Sequence, residues 1–265
     1  MFRIGIQLLL PDDYMINMEW IRTLSLISRL GIDHLELNVT DPLAVDPVEL
    51  TLFMQSKSLE ITKLATGYTA KLEKLNLSSP DIRIRERTLK RCRDFISLAR
   101  GLKCDVIFGS IKGLVDLAKS ESDKNLFDSL KRLEEEILSQ RIRVYLEAIN
   151  RNETTSVNTV DEGFELIKSL SAKGFTVLPD TYHMNTEESD LSATLKKNIS
   201  SIDTIHISDN NRFYPGLGNF NFKEFIKLLK SINFIGTLTI EGNIKYSFEQ
   251  DIRKSMTYLT SLLTD

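Results

Sequence analysis

The stretch Arg143-Val-Tyr-Leu-Glu147 is a short apolar run that ends in a carboxylate, and three later stretches repeat this form. Runs of this kind are typical of strands that are buried on both faces of a parallel sheet. Their end residues Glu147, Asp180, His206 and Glu241 are 33, 26 and 35 residues apart, about one strand plus one helix each time. The later stretches are Phe175-Thr-Val-Leu-Pro-Asp180, Ile202-Asp-Thr-Ile-His206 and Thr237-Leu-Thr-Ile-Glu241.

The first half of the chain contains four further apolar runs, so that eight strands are predicted in all. These runs are Arg3–Gln7, His34–Asn38, Ile61–Ala65 and Asp105–Gly109. Segments with a helical period lie at Met18–Leu30, Ser79–Leu102, Asp123–Gln140, Thr159–Leu170, Phe222–Ile232 and Ser247–Leu263. The alternation predicts an α/β fold, a single (β/α)8 TIM barrel that covers residues 1–265 as one catalytic domain. A doubly wound open sheet is disfavoured because its Gly-x-Gly-x-x-Gly turn is missing after the first strand.

Capping residues set the expected helix boundaries. In the segment from Ser79, the serine is expected to cap the helix, with Pro80 in its first turn and Asp81 complementing the helix dipole. Gly101 is expected to end that helix. The stretch Asn158-Thr-Val-Asp-Glu162 predicts a capped, acidic helix start.

Composition disfavours several classes of function. The chain is 42% hydrophobic and 27% charged, with a net charge of −3 and scattered basic residues, which argues against a nucleic-acid-binding surface. No stretch approaches the ~20 apolar residues of a membrane span, and no secretory signal is visible. Cys92 and Cys104 are expected to be reduced, buried thiols of a cytoplasmic protein.

The carboxyl ends of barrel strands meet at one mouth, where TIM-barrel enzymes place their catalytic residues. We therefore expect Glu147, Asp180, His206 and Glu241 to converge there. Three carboxylates and one imidazole suit a divalent ion such as Mn²⁺. Mg²⁺, Co²⁺ and Zn²⁺ fit the same ligands, so the residues alone leave the identity of the ion open.

The segments after these strands resemble the xylose isomerase-like barrels, and among them the ketose 3-epimerases that act on tagatose and psicose. The family pattern is a Glu with a second Glu six residues later, then Asp-x-x-His, then a His with an Arg six residues later, and a Glu that ends the last strand. The chain matches this pattern at Glu147, Glu153, Asp180, His183, His206, Arg212 and Glu241. The match covers residues 143–242, whereas the first half agrees mainly in its alternation of strands and helices.

The resemblance implies one divalent ion, Mn²⁺ above all, on the four strand-end residues, and sugar contacts from His183, Arg212 and Glu153. A proton beside a ketone is too weakly acidic for a carboxylate alone, but a metal that bridges the carbonyl and the neighbouring hydroxyl stabilises the resulting cis-enediolate. Inversion at C3 then needs one base on each face of the planar intermediate. Our hypothesis is that Glu147 and Glu241 are these catalytic bases.

The first half of the chain is expected to shape the substrate end of the pocket. Tyr68 could stack on a sugar face or pack under its own loop, and Ser110 is a candidate substrate contact. Lys112 is a further candidate, although its expected position is the solvated surface. The same surface position is expected of three other basic residues that leave a phosphorylated or carboxylated sugar open, namely Lys71, Lys74 and Arg151.

Two further features have structural interpretations. A charge at Glu36, inside strand two, needs a buried partner, and we expect it to lie behind a metal ligand rather than to bind the ion. The stretch Pro215-Gly-Leu-Gly218 could bind a phosphate through its backbone, but a tight turn that leads into a helix capped by Asn221 is the favoured interpretation.

Other reactions on the same fold stay open, because only the pocket separates them: aldose–ketose isomerisation, hydroxypyruvate-type isomerisation and dehydration of an inosose. An endonuclease for abasic (AP) sites is disfavoured by the presence of only three histidines and the negative net charge. A sugar-binding barrel without catalysis is disfavoured because both Glu147 and Glu241 are present. The expected partner is a small-molecule sugar or sugar derivative, with no nucleic acid or membrane, and the resemblance implies a homodimer or homotetramer.

Overall fold

The computed structural model describes residues 2–114, 118–170 and 174–264. Within these residues, eight parallel strands form one sheet in the order β6-β5-β4-β3-β2-β1-β8-β7, with helices between successive strands, which confirms the predicted TIM barrel. The strands are β1 (Arg3–Leu9), β2 (His34–Asn38), β3 (Glu60–Ala65), β4 (Asp105–Phe108), β5 (Val144–Glu147), β6 (Phe175–Leu178), β7 (Thr204–Ile207) and β8 (Thr237–Ile240).

The two edges of the sheet meet between β6 and β7, just beyond the end of β6. There an isolated bridge joins Asp180 to His206, and the backbone N–H of His206 donates to the carbonyl of Pro179 at 2.8 Å. The hydroxyl of Thr181 also donates to the carbonyl of Ser208 at 2.7 Å and accepts from its N–H at 3.0 Å. The barrel is therefore closed at its carboxyl-terminal mouth by the residues that follow β6.

Helices surround the sheet. They are α1 (Met18–Arg29), α2 (Pro47–Gln55), α3 (Gly67–Glu73), α4 (Ile82–Leu102), α5 (Lys119–Lys131), α6 (Glu134–Gln140), α7 (Val160–Ser169), α8 (Thr181–Glu187), α9 (Leu191–Asn198), α10 (Phe222–Ser231) and α11 (Phe248–Thr264). Two short 3₁₀ helices lie at Ser110–Lys112 and Ile199–Ser201. No helix in the described ranges has the length and apolar character needed to cross a membrane.

The start and end of α4 differ from the prediction. The helix begins at Ile82 because Asp81, and not Ser79, is the capping residue: its carboxylate accepts from the backbone N–H of Arg83 at 2.9 Å. The helix also continues through Gly101 to Leu102. A Cβ on Gly101 would overlap the ring of Pro47, so the glycine allows α2 to pack closely against α4.

The prediction of one continuous helix over Asp123–Gln140 is wrong. This segment consists of α5 and α6, which are separated at Arg132 and Leu133, where Leu133 turns into the core and is fully buried. Helices α2, α3, α8 and α9 were not predicted. The predicted cap at Asn221 is confirmed, since its side chain accepts from the backbone of α10. The capped start predicted in Asn158–Glu162 is also present, with Thr159 as the residue that accepts from the backbone of α7.

Burial explains why the strand runs are so continuously apolar. Every residue of β5, β6 and β7 is buried, since one side faces the barrel interior and the other faces the helices. Cys92 and Cys104 are free, buried thiols, as predicted. Burial in apolar surroundings raises the pKa of both thiols, which keeps them protonated.

Candidate active site

Strands β5 to β8 deliver four ligand-type side chains to one mouth of the barrel. Glu147 is the last residue of β5, Asp180 follows β6, His206 lies in β7 and Glu241 follows β8. One potential ligand atom from each residue lies within 4.8 Å of the others. The structure thus brings together the four residues that the strand-end pattern selected.

Two carboxylate oxygens of this cluster, Oε1 of Glu147 and Oδ2 of Asp180, are buried without a hydrogen-bond partner in the described part of the chain. Buried polar atoms are nearly always paired, so unpaired carboxylate oxygens at this point fit a bound cation. Burial and the charge of Glu241 raise the pKa of Glu147. Burial and the charges of Glu241 and Glu147 raise that of Asp180 to about 8. A divalent ion would relieve this mutual repulsion.

The imidazole of His206 is fully buried between carboxylates. Its Nδ1 lies 2.6 Å from Oε2 of Glu241, and its Nε2 lies 2.7 Å from Oε2 of Glu36. Burial opposes a charge on the ring, but these carboxylates raise the pKa of His206 well above its ordinary value. Nδ1 is therefore the nitrogen that faces the cluster, and Glu36 lies behind His206, as expected.

His183 lies beside the cluster on α8 and is fully buried. Its Nδ1 accepts from the backbone N–H of Asn150 at 3.3 Å, and its Nε2 lies 4.0 Å from Oε1 of Glu147. Burial and the charge of Arg212 lower the pKa of His183 to about 3. At this low pKa the ring is a neutral imidazole, and it lies between two donors, the backbone N–H of Asn150 beside Nδ1 and the guanidinium of Arg212 beside Nε2.

Arg212 and Glu153 lie further from the cluster, towards solvent. Nη1 of Arg212 is 2.9 Å from Nε2 of His183 and 3.5 Å from Oε1 of Glu153, and its guanidinium covers the ring of Tyr182 at 4.8 Å. Arg212 has a φ of 60°, an uncommon conformation for a residue other than glycine. Asn150 also donates to Glu153 at 3.1 Å. Asn150, which no sequence pattern indicated, contacts two of the predicted sugar-binding residues, Glu153 and His183.

The other two predicted substrate contacts follow β3 and β4. Tyr68 lies at the start of α3 and is 44% exposed, with its backbone N–H donating to Asn38 at 3.1 Å. Ser110 begins the 3₁₀ helix after β4, and its hydroxyl lies beside Gly67. Both residues therefore lie at the mouth of the barrel, after strands β3 and β4, which are across the barrel from β7 and β8.

The expectation that Lys112 lies on the solvated surface is wrong. Its side chain is fully buried, and its ammonium group donates to the backbone carbonyl of Glu147. Burial lowers the pKa of Lys112 to about 8, against the charge of Glu147. The 3₁₀ turn after β4 directs this side chain towards β5. The burial of Lys112 could not be predicted from the composition or the hydrophobic periodicity of the sequence.

The remaining basic residues are exposed, as expected. Lys71 and Lys74 lie on the surface of α3 and at its end. Arg151 forms an ion pair with Glu187 at 2.7 Å. In the part of the chain described by the structure, Lys112 is therefore the one lysine of this group that contacts the predicted site.

The stretch Pro215–Gly218 in the loop after β7 forms a turn, as predicted. The carboxylate of Asp209 accepts from the backbone N–H of Gly216 at 2.9 Å and from that of Phe220 at 2.8 Å. These N–H groups are thus already paired with a carboxylate. The turn holds the segment between Arg212 and α10 in place.

Comparisons with known proteins identify relatives of the whole chain. L-ribulose 3-epimerase from Methylomonas sp. is 26% identical over 216 residues, which cover 81% of this chain and 75% of that protein. 3-Dehydro-D-guloside 4-epimerase from Escherichia coli is 34% identical over 122 residues, 46% of this chain and 47% of that protein. A solved structure of L-ribulose 3-epimerase superposes with a TM-score of 0.86 at 22% identity, covering 100% of this chain and 95% of that one, which shows the shared fold.

Curated relatives include several ketose 3-epimerases at about 25% identity, which supports assignment of the chain to the sugar epimerases. The model of one family, described as the xylose isomerase-like TIM barrel, matches residues 24–262. That match spans most of the chain. The chain therefore belongs to the xylose isomerase-like TIM barrel family.

Proposed function

We propose that this protein is a divalent-metal-dependent ketose 3-epimerase whose catalytic domain spans residues 1–265. The observation that carries the proposal is the cluster of Glu147, Asp180, His206 and Glu241, whose ligand atoms lie within 4.8 Å of one another. Two of its oxygens lack partners in the described part of the chain, as expected of groups that bind an ion. The 3-epimerases among the relatives support the reaction type.

Glu147 and Glu241 are the proposed bases, and their positions support two-sided proton transfer. They approach the cluster from β5 and β8, which are well separated around the barrel. A ketose held between them would expose the two faces of C3 to different carboxylates. One carboxylate removes the C3 proton, and the other returns a proton to the opposite face. The bound ion, which we propose to be Mn²⁺, would supply Lewis-acid stabilisation of the enediolate charge.

The residues around the cluster are suited to bind the oxygen atoms of the substrate. His183 and the guanidinium of Arg212 lie at the edge of the cluster, where they are the proposed donors to O2 of the substrate, on which negative charge develops. Glu153, which is held by Asn150, is the proposed contact for the terminal hydroxyl. Tyr68 and Ser110 are proposed to line the opposite wall.

A second candidate is epimerisation at C4 of a keto-glycoside. It is favoured by the 34% identity to a 3-dehydro-D-guloside 4-epimerase, although this similarity covers only 46% of the chain. The two reactions share the step in which a proton is removed beside a carbonyl. They differ in the substrate and in the carbon atom that exchanges.

The test is deuterium incorporation from D₂O, followed by NMR, with a panel of free ketoses, phosphorylated ketoses and 3-keto-glycosides. Each reaction is run with added Mn²⁺ and with a chelator. Metal-dependent exchange at C3 of a ketose, with formation of its epimer, is the expected result. Exchange at C4 of a keto-glycoside would replace the proposal with the second candidate. Exchange at C1 or C2 would assign the chain to the aldose–ketose isomerases.

A further inference from the structure

A charged pair lies inside the barrel behind the proposed metal site. Glu36 on β2 and Lys63 on β3 are 1% and 5% exposed. The register between these strands shifts after Leu35, so that Glu36 aligns with Lys63 and Thr62 is the additional residue. This β-bulge directs both side chains into the interior, where TIM barrels ordinarily place branched apolar residues. Such a burial of two charges is costly unless each is paired and hydrogen-bonded.

Every oxygen of Glu36 has a partner. Oε2 lies 2.7 Å from Nε2 of His206, while Oε1 accepts from Thr239 at 3.0 Å and from the ammonium of Lys63 at 3.3 Å. Lys63 also donates to Thr204 at 2.9 Å and lies over the ring of Tyr145. Glu36 and the ammonium of Lys63 thus form a buried ion pair inside the barrel. The acceptor opposite Nε2 of His206 is therefore an anion.

We propose that Glu36, with Lys63 as its counter-ion, is a positioning residue that holds His206 as the Nε2–H tautomer and directs Nδ1 to the metal. The inference rests on the proposed metal site. A carboxylate acts only as an acceptor, so Glu36 holds the proton on Nε2, and the proton that a bound ion would displace is the one on Nδ1, which faces Glu241. The position of the ring supports this role, since Nδ1 faces Glu241 at 2.6 Å and Glu147 at 3.6 Å.

The first measurement is the dissociation constant for Mn²⁺, obtained from the EPR signal of the free ion. The variants are Glu36→Gln and the double variant Glu36→Leu with Lys63→Met. The matched control is His34→Gln, on the same strand but at the amino-terminal end of the barrel, where His34 contacts Asp33 and Arg3. The double variant is expected to bind Mn²⁺ about 10- to 100-fold more weakly than wild type. Glu36→Gln keeps an acceptor oxygen, so its affinity for Mn²⁺ is expected to lie between that of the wild type and that of the double variant.

Thermal unfolding separates positioning from a purely structural role. Lys63→Met alone leaves Glu36 buried without its counter-ion, so its melting temperature is expected to fall. The double variant replaces the pair with apolar side chains of similar size, and such replacements are often neutral or stabilising. It is therefore expected to recover the melting temperature without recovering the affinity for Mn²⁺.

A spectroscopic measurement addresses the tautomer directly. The chain has three histidines, so ¹⁵N-labelled histidine gives a simple spectrum, and His34→Gln removes one set of signals. With Zn²⁺ as a diamagnetic ion, His206 is expected to show a protonated Nε2 and a metal-bound Nδ1. Metal on Nε2, or wild-type Mn²⁺ affinity in the double variant, would overturn the inference. Absence of Mn²⁺ and Zn²⁺ binding by the wild-type protein would instead refute the proposed metal site itself.

Discussion

The ammonium group of Lys112 donates a hydrogen bond to the backbone carbonyl of Glu147, at the end of β5. The lysine is fully buried, and no second acceptor for it is found among the described residues. A cation at this point lies next to Glu147, one of the two proposed bases, and is close enough to His183 to act on its charge. We therefore expect its positive charge to stabilise negative charge that develops on a bound substrate.

Replacement of Lys112 by Met should lower kcat by about tenfold or more, because a buried donor next to developing charge is removed. KM should change little, and affinity for Mn²⁺ should be kept or increased, since a cation is removed from the neighbourhood of the ion. Steady-state kinetics and Mn²⁺ titration measure these effects. Lys71→Met, on the exposed face of α3, is the control. A Lys112→Met enzyme with the kcat of wild type would contradict this role.

Glu147→Gln and Glu241→Gln should each reduce epimerisation by about 10²- to 10⁴-fold, the usual contribution of a positioned acid or base. Each variant keeps one base, so it should still exchange deuterium into one epimer without forming the other. The two variants should differ in which epimer is labelled. NMR of both pure epimers in D₂O measures this, with metal loading checked in parallel because both residues are proposed ligands. Full epimerisation in either variant would exclude the two-base mechanism.

Removal of the divalent ion should destabilise the fold. An ion present at a hundredfold excess over its dissociation constant stabilises a protein by about 2.7 kcal/mol. For a chain of this size, such a loss corresponds to several degrees in melting temperature. Calorimetry before and after chelation, with Mn²⁺ added back, measures the change. A melting temperature that is independent of Mn²⁺ would count against the metal site.

Gly109→Ala should impair the site, because the added Cβ would overlap Oε2 of Glu147. We expect Glu147 to be displaced, with weaker Mn²⁺ binding and a large loss of kcat. Gly67→Ala is the matched control, since its Cβ would meet only the hydroxyl of Ser110 at 3.4 Å. Equal effects of the two substitutions would show that the close approach of Gly109 to Glu147 is unimportant.

The cluster itself could be predicted from sequence because the barrel converts position along the chain into proximity. Glu147, Asp180 and Glu241 each end or follow a strand, and parallel strand ends share one mouth. No long-range information was required beyond the alternation of strands and helices. The roles of these residues remain predictions, whereas their convergence is observed.

The residues around the cluster were harder to predict, because their positions depend on local irregularities. Lys112 is buried by a 3₁₀ turn, and the partnership of Glu36 with Lys63 depends on a bulge at one residue of β3. Neither feature has a sequence pattern of its own. Helix α2 was missed for a related reason, since its apolar residues Val48 and Leu52 are exposed and no single apolar face results.

The seam between β6 and β7 gives the proposed ion a mechanical role. Asp180 and His206 form the bridge across it, so an ion bound by both would cross-link the two edges of the sheet, β6 and β7. Hydrogen bonds at Pro179 and Ser208 already close the barrel here, so loading of the site would add a second link to the same seam. A newly folded chain would gain further rigidity along this seam when it binds the metal, and amide hydrogen exchange at the seam would report the loading.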